Sequence, residues 1–479
     1  MGESGRTHYE PLQATGTLNR QYNHTIQNNP SPNIYAMKTI CLYFEIHLLN
    51  HLRRYRFFDI GADHYYYDDY ENERSAQYLV ETSYMPALDT LHTMLEQYPD
   101  TFRVAFSLSG IGIEQLEQYA PELIEKLQDM NSTGRVEFLA EPYSHGLASL
   151  IAPESFANEV RRQCDKIEEL FGQRPTVLRN SSLIYDDEIG RLAARMGFKG
   201  VITEGAKHVL GWRSPHFVYH CPVASKVRLL LRDYTFSDDI SLRFSNPQWE
   251  GYPLLADTFM RRITQLPDEE QVVNIFMNLA AIGIAQPLSS HITDFLHALP
   301  QFAGKDITFA TPSEVIAHYP SVGPLSVPEA ISWLDEERDL SPFLGNAMQK
   351  EAFNKLYSVA ERVQIANDPL INEDWVYLQA SDNFRFMSTK HTLVDDGRYI
   401  YSDPFDAFTN YMNILGDFLR RVQALYPDDI DNEELNSLLT TIRNQGDEIE
   451  QKNKTISRLQ AKITKLKGST KTEKKQGKA

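Results

Sequence analysis

From residue 38 onward, hydrophobic positions follow two periods in alternation. Short, nearly continuous apolar runs predict strands over 39–46, 102–107, 136–140, 176–179, 200–203, 227–231, 272–277 and 307–309. Between them, apolar residues spaced three and four apart predict helices over 75–98, 113–130, 154–172, 186–196, 254–266 and 290–303. Such alternation predicts a parallel sheet covered by helices, because a parallel crossover is long enough to hold one. Seven or eight strands in about 270 residues is the size of a closed barrel. From about residue 312 the strand pattern fades, and helices are predicted over 328–336, 345–367, 369–379 and 404–425.

Both ends break this pattern. Residues 1–36 are rich in Asn, Thr, Gln, Gly and Pro and lack the apolar segment of a secretory signal. They read as a disordered N-terminal extension, with Met37 directly before the first strand. Beyond a Pro-Asp-Asp joint at 427–431, Leu435, Ile442, Ile449, Ile456 and Ile463 lie seven residues apart. Leu438, Gln445, Lys452, Leu459 and Leu466 follow three residues behind each. This a/d repeat predicts a coiled coil over 429–467 and a homo-oligomer joined through 435–466. Ile at a with Leu at the outer d positions favours a parallel dimer. Gln445 and Lys452 weaken the seam, and Gly446 costs about 1 kcal/mol of helix propensity. The competing reading is an amphipathic helix folded back on the body. Residues 468–479 read as a basic disordered tail.

Charge sharpens the division. The 479 residues carry a net −18, but residues 452–479 hold ten Lys/Arg and one Glu, so a +9 tail follows a −27 body. An acidic body argues against a nucleic-acid partner. With 42% hydrophobic and 11% aromatic residues, the chain has enough apolar material for a real core. Cys41, Cys164 and Cys221 are its three cysteines, too scattered for a disulfide scaffold or a CxxC site, and they fit a reducing cytoplasmic compartment. No run of 18 apolar residues exists, so no membrane span is expected.

Chemistry in parallel α/β folds gathers at the C-terminal ends of strands. There the chain offers Glu45 and His47; Glu137, Glu141 and His145; Arg179, Asn180, Ser181 and Ser182; Asp238, Asp239 and Arg243; and Asn278. Tyr65, Tyr66 and Tyr67 could stack on a sugar or pack beneath the barrel. The strings MKTICLYFEIH, GRVEFLAEPYSH, LRNSSLIYDDEIG, MGFKGVITEGAKHVLGWRSP, FSDDISLRFS, FMNLAAIG and SWLDEERD resemble glycoside hydrolase family 57, in its α-amylase branch, over roughly 37–425. The resemblance implies a (β/α)7 barrel over 37–311 and an α-helical domain over 312–428. It also implies retaining hydrolysis or transfer on α-1,4-glucans, with a Glu nucleophile and an Asp acid/base.

Retaining hydrolysis needs two carboxyl groups about 5–5.5 Å apart, one ionised to attack and one protonated to release the leaving oxygen. The family's nucleophile lies in a string like RNTELIYSDEIG. Here the string reads RNSSLIYDDEIG, and Ser182 stands at the Glu position. The family's His-Gln-Pro becomes His47-Leu48-Leu49, and an aromatic–Glu pair becomes Leu279-Ala280. Asp238 and Asp239 both remain, with Asp239 the favoured acid/base counterpart. His47, Glu141, His145, Trp333 and Asp335 are the implied substrate-binding positions for an α-glucan or maltooligosaccharide. Glu204 is a weak candidate to replace the lost carboxylate. No cofactor and no metal are expected, and a metal-dependent deacetylase is disfavoured because no HxxxH-like pair lies near Asp238 and Asp239. The expected protein is an α-amylase-like chain with an incomplete catalytic pair. The alternative is a non-catalytic α-glucan-binding or regulatory scaffold assembled through its coil.

Overall fold

The structure is a computed structural model describing residues 37–390 and 400–425, together with Lys452 and Thr455. The N-terminal extension, the basic tail and the heptads, apart from those two residues, lie outside the described residues. Strands β1 (Lys38–Ile46), β2 (Val104–Leu108), β3 (Val136–Leu139), β4 (Val177–Arg179) and β5 (Gly200–Glu204) form in chain order. They are followed by β6 (Tyr219–Cys221), β7 (Ala224–Arg232), β8 (Val272–Asn278) and β9 (Ile307–Phe309). Pairing runs β3-β2-β1-β8-β7-β5-β4, parallel throughout.

The ring closes just past β3. The Ala140 N–H donates to the Val177 carbonyl (3.0 Å), and the Arg179 N–H donates to the Ala140 carbonyl (2.8 Å). Seven parallel strands therefore make the expected (β/α)7 barrel. The antiparallel β6, which the apolar pattern did not signal, lies beside β7, and β9 pairs only with Lys38–Ile40 of β1.

β1 shows why the run KTICLYFEI makes a central strand. All nine residues are buried. Cys41 and Tyr43 join one apolar cluster, while Ile40, Leu42, Phe44 and Ile46 join another. Successive side chains alternate faces, so Glu45 shares the side of Cys41 and Tyr43. A continuous apolar run is what a strand buried on both faces requires.

The helices differ from expectation where a local rule overrides periodicity. The helix expected over 75–98 begins at Asp69, with the Asp68 carboxylate accepting the Glu71 N–H as its N-cap. It passes through a π-turn at Val80–Tyr84 before continuing as Met85–Gln97. Pro86 explains the turn, because it has no N–H to offer the carbonyl of Thr82 four residues back. The helix expected over 113–130 breaks into Gly110–Tyr119 and Pro121–Ser132, with Ala120 pushed out of the helical region ahead of a proline. The helix expected over 328–336 does not form. Ile331 bridges instead to Tyr185, and the Asp335 carboxylate accepts the Arg338 N–H in a tight turn.

After β9 come the helices Pro312–His318, Ser341–Leu344, Ala347–Tyr357, Ala360–Ala366, Pro369–Leu378, Ser381–Arg385 and Pro404–Ala424. Phe353, Trp375, Tyr411 and Phe418 from this region share one apolar cluster with Val177 and Leu229 of the barrel strands. Burial of each such side chain stabilises the fold by roughly 1.5–3 kcal/mol. The loop after β1 is laced to the last helix: Tyr66 and His64 both reach Asp417 (2.6 and 2.7 Å), and the Tyr67 hydroxyl donates to Asp374. Tyr66 and Tyr67 are thus buried packing residues, and only Tyr65 stands half exposed.

Candidate active site

Strand register brings the mouth of the barrel together. β1 sets Glu45 beside Ser107 of β2 and Asn278 of β8, while β5 sets Glu204 beside Arg232 of β7. Glu141 follows the Ala140 closure, and Arg179 ends β4. These polar ends converge because the strands are parallel, and charge buried there must be paired.

Two ion-pair clusters result. In the first, Arg179 donates to Glu141 Oε2 (2.9 Å) and lies 2.7 Å from Glu45 Oε1. The Ser107 hydroxyl also donates to Glu141. In the second, Arg232 donates to Glu204 (3.1 Å) and to Asp238 Oδ1, and Arg338 donates to Asp238 Oδ2 (3.0 Å). Aromatic faces separate the cations: Arg179 stands 5.1 Å from the Phe276 ring, Arg232 stands 5.1 Å from the Trp333 ring, and the two rings meet edge to face.

Electrostatics follow from this packing. Burial pushes the Glu204 carboxyl above the usual carboxylate range, against the pull of Arg232 and Arg338. Burial would do the same to Glu141, but His145, Arg179 and Ser107 together hold it below that range. Burial, then the neighbouring His145, lower His47. His47 Nε2 donates to the Asp382 carboxylate (2.9 Å), and its Nδ1 lies 2.7 Å from the Ser109 hydroxyl. Its ring stacks on His145 with centroids 4.1 Å apart.

Ser182 lies in a single turn, Ser181–Leu183, immediately after β4, with φ 49°. Its carbonyl accepts the Trp333 N–H (3.3 Å), and no hydrogen bond reaches its hydroxyl among the described residues. Asp238 and Asp239 sit inside the helix Tyr234–Ser241, whose N-terminus Asp233 caps. Consecutive helical residues point about 100° apart, and the two carboxylates diverge accordingly. Asp238 meets Arg232 and Arg338 at the barrel mouth. Asp239 accepts from Arg243 (2.7 Å) and Arg262 (2.7 Å) on side chains about one-third exposed.

The remaining candidates are buried and partnered. Trp333 is 3% exposed, packed against Phe276 and Arg232. Asp335 accepts the Arg338 N–H (2.9 Å) and pairs with Lys390 (2.8 Å). Leu48 and Leu49, in place of a polar pair, are buried in separate apolar clusters. Sequence reasoning missed Arg232, Arg338 and Asp382 and gave Glu204 little weight. Arg232 had a signal, a charge directly after the apolar run Leu229–Leu231. Arg338 lay unmarked within the string SWLDEERD, since its turn forms only when residues 331–335 cross the barrel mouth.

A parallel seven-stranded barrel with carboxylates, arginines and histidines converging at its strand ends is the (β/α)7 architecture that the family resemblance implied. Residues 41–328 match the model of glycosyl hydrolase family 57. A putative α-amylase from Methanocaldococcus jannaschii is 35% identical over 377 residues, covering 75% of this chain and 79% of its own. The chain belongs to glycosyl hydrolase family 57. Among solved structures, the family 57 branching enzyme of Thermococcus kodakaraensis superposes with a TM-score of 0.59 at 12% identity, over 84% of this chain and 94% of its own. An α-amylase from Thermotoga maritima superposes at 0.54 and 13% identity, over 84% and 96%. Both likenesses are of fold.

Proposed function

We propose that this family 57 chain is a catalytically impaired relative of the α-amylases, one that does not turn over α-1,4-glucans at a useful rate. The observation that carries this reading is the state of the catalytic pair. At the nucleophile position Ser182 offers a hydroxyl, and a serine attacks only when a base takes its proton. At the acid/base position, both oxygens of Asp238 accept from guanidinium groups, which only donate. An acid delivering its proton to a leaving oxygen needs a free face. Loss of a nucleophile costs on the order of 10⁶-fold in a well-dissected protease, and a comparable loss here leaves no useful turnover.

Under this reading Asp238, which meets Arg232 and Arg338, is taken as the acid/base counterpart, where sequence alone favoured Asp239. The natural ligand class under this reading is an α-glucan or maltooligosaccharide, and the three cysteines, all unpaired and buried, suit the cytoplasm. The alternative, a non-catalytic glucan-binding or regulatory scaffold, draws on the heptads at 435–466 for its assembly.

The test is hydrolysis of maltooligosaccharides and amylose by the purified chain and by its Ser182→Glu, Asp238→Ala and Asp239→Ala variants. No turnover is expected from the native chain. Clear turnover abolished by Asp238→Ala or Asp239→Ala overturns the reading. Activity gained by Ser182→Glu would show that the rest of the cleft is competent. Calorimetry with maltooligosaccharides then separates a binder from a scaffold.

A further inference from the structure

We propose that Glu45, Glu141 and His145 form a binding site for one divalent transition-metal cation of the zinc or manganese type at the barrel mouth. Each residue offers a ligand atom, and these atoms lie within 4.8 Å of one another. Two carboxylate oxygens and one imidazole nitrogen are a donor set that suits these ions. All three side chains are buried, at 4%, 0% and 4% exposure.

Unmet bonding capacity points to a ligand. Glu141 Oε2 is taken by Ser107 and Arg179, but among the described residues Glu141 Oε1 has no hydrogen-bond partner, and neither has His145 Nδ1. A buried polar atom left unpaired costs about 1–3 kcal/mol. The two atoms do not satisfy each other: His145 Nδ1 lies 3.8 Å from Glu141 Oε1, and His145 Nε2 lies 3.5 Å from Glu45 Oε1. Those gaps are at or beyond the limit of a hydrogen bond. They involve opposite nitrogens of one ring, so a single ion would take one of them, and either gap falls within the separation of up to about 4.2 Å open to two ligands with bonds of about 2.1 Å.

Charge is consistent with this occupant. Two carboxylates face one guanidinium, so apart from the imidazole the cluster carries one uncompensated negative charge. A divalent cation bearing one hydroxide neutralises it. Arg179, 2.7 Å from Glu45 Oε1 and bonded to the far oxygen of Glu141, orients both carboxylates as an outer partner. The His145 backbone, with φ 54°, is pinned by its own N–H to the Pro142 carbonyl and by the Ser381 N–H to its carbonyl. The ring is thereby held over the two carboxylates.

The experiment uses the full chain, stripped with chelator and titrated with Zn²⁺ and Mn²⁺ by calorimetry and against a chromophoric indicator. One tight equivalent is expected, with His145→Ala and Glu141→Gln each weakening it about 100-fold or more. Addition of Co²⁺ to the native chain should produce the visible bands of a four- or five-coordinate site with oxygen and nitrogen ligands. Absence of a single-equivalent site, or affinity unchanged in both variants, overturns the proposal. If the variants do not fold, a native Co²⁺ complex with only the weak bands of the hydrated ion overturns it as well. None of these readouts depends on glucan turnover.

Discussion

His216 is the most informative residue to perturb outside the barrel mouth. Its Nε2 lies 2.6 Å from Asp233 and its Nδ1 2.5 Å from Glu270. Ionised carboxylates only accept hydrogen bonds, so both ring nitrogens must donate, which requires the imidazolium. Burial opposes that charge, but Asp233 and Glu270 outweigh it and raise the His216 pKa above the ordinary histidine value. The clasp matters for position. Asp233 caps the helix bearing Asp238 by accepting the Phe236 N–H, and the Asp233 N–H binds the Asn274 carbonyl of β8. Glu270 is joined through its carbonyl to the Lys38 ammonium (3.0 Å).

Two charge-assisted bonds are worth about 1.5–3 kcal/mol each, and the partial exposure of Glu270, 19% for its side chain, argues for the lower figure. His216→Gln, which cannot carry the charge or serve both carboxylates, should cost about 3 kcal/mol. With an unfolding entropy of about 2.1 cal/mol/K per residue over roughly 400 ordered residues, this lowers Tm by about 4 °C. The pH dependence has a definite sign. Because the folded pKa is raised, the contribution is fully present below the unfolded value of about 6.5 and is lost as pH rises through the folded value. Thermal melts of native and variant chains should therefore differ most near pH 5.5 and converge at alkaline pH. A gap that is equal at pH 5.5 and 9, or under about 1 °C throughout, refutes the reasoning.

Three further outcomes follow from the packing. Gly283 adopts φ +104°, and a Cβ there would meet the Thr82 carbonyl at 2.1 Å, so Gly283→Ala should cost about 2–4 kcal/mol; an unchanged denaturation midpoint contradicts this. Arg232→Met leaves Glu204 and Asp238 short of a counter-ion in a buried place and should cost about 3–5 kcal/mol, much of it recovered when Glu204→Gln and Asp238→Asn are added. A triple variant no more stable than the single one sinks that account. A chain ending at residue 428 should have a lower oligomeric mass than the full chain by light scattering; equal masses rule out association through 435–466.

Eight strand segments were legible in the sequence because each is a short, largely apolar run, a demand set locally by burial between helices. Parallel alternation was legible for the same reason, and the family strings named the barrel. What periodicity misread were places where a single residue overrides it: Pro86 opens a π-turn, Pro121 splits a helix, and the 328–336 stretch is drawn across the mouth by Tyr185 and Asp335.

The site divides along the same line. That residue 182 is a serine, without a carboxylate, was legible in the sequence, since side-chain chemistry needs no fold to be read. Which aspartate faces the mouth was not, because adjacent residues in a strand and in a helix diverge by different angles, and only the helix Tyr234–Ser241 decides it. Nor were the ion pairs of Arg179, Arg232 and Arg338, whose partners lie up to 134 residues away along the chain. Pairing at that distance is set by strand register and by closure of the ring, which no local pattern encodes.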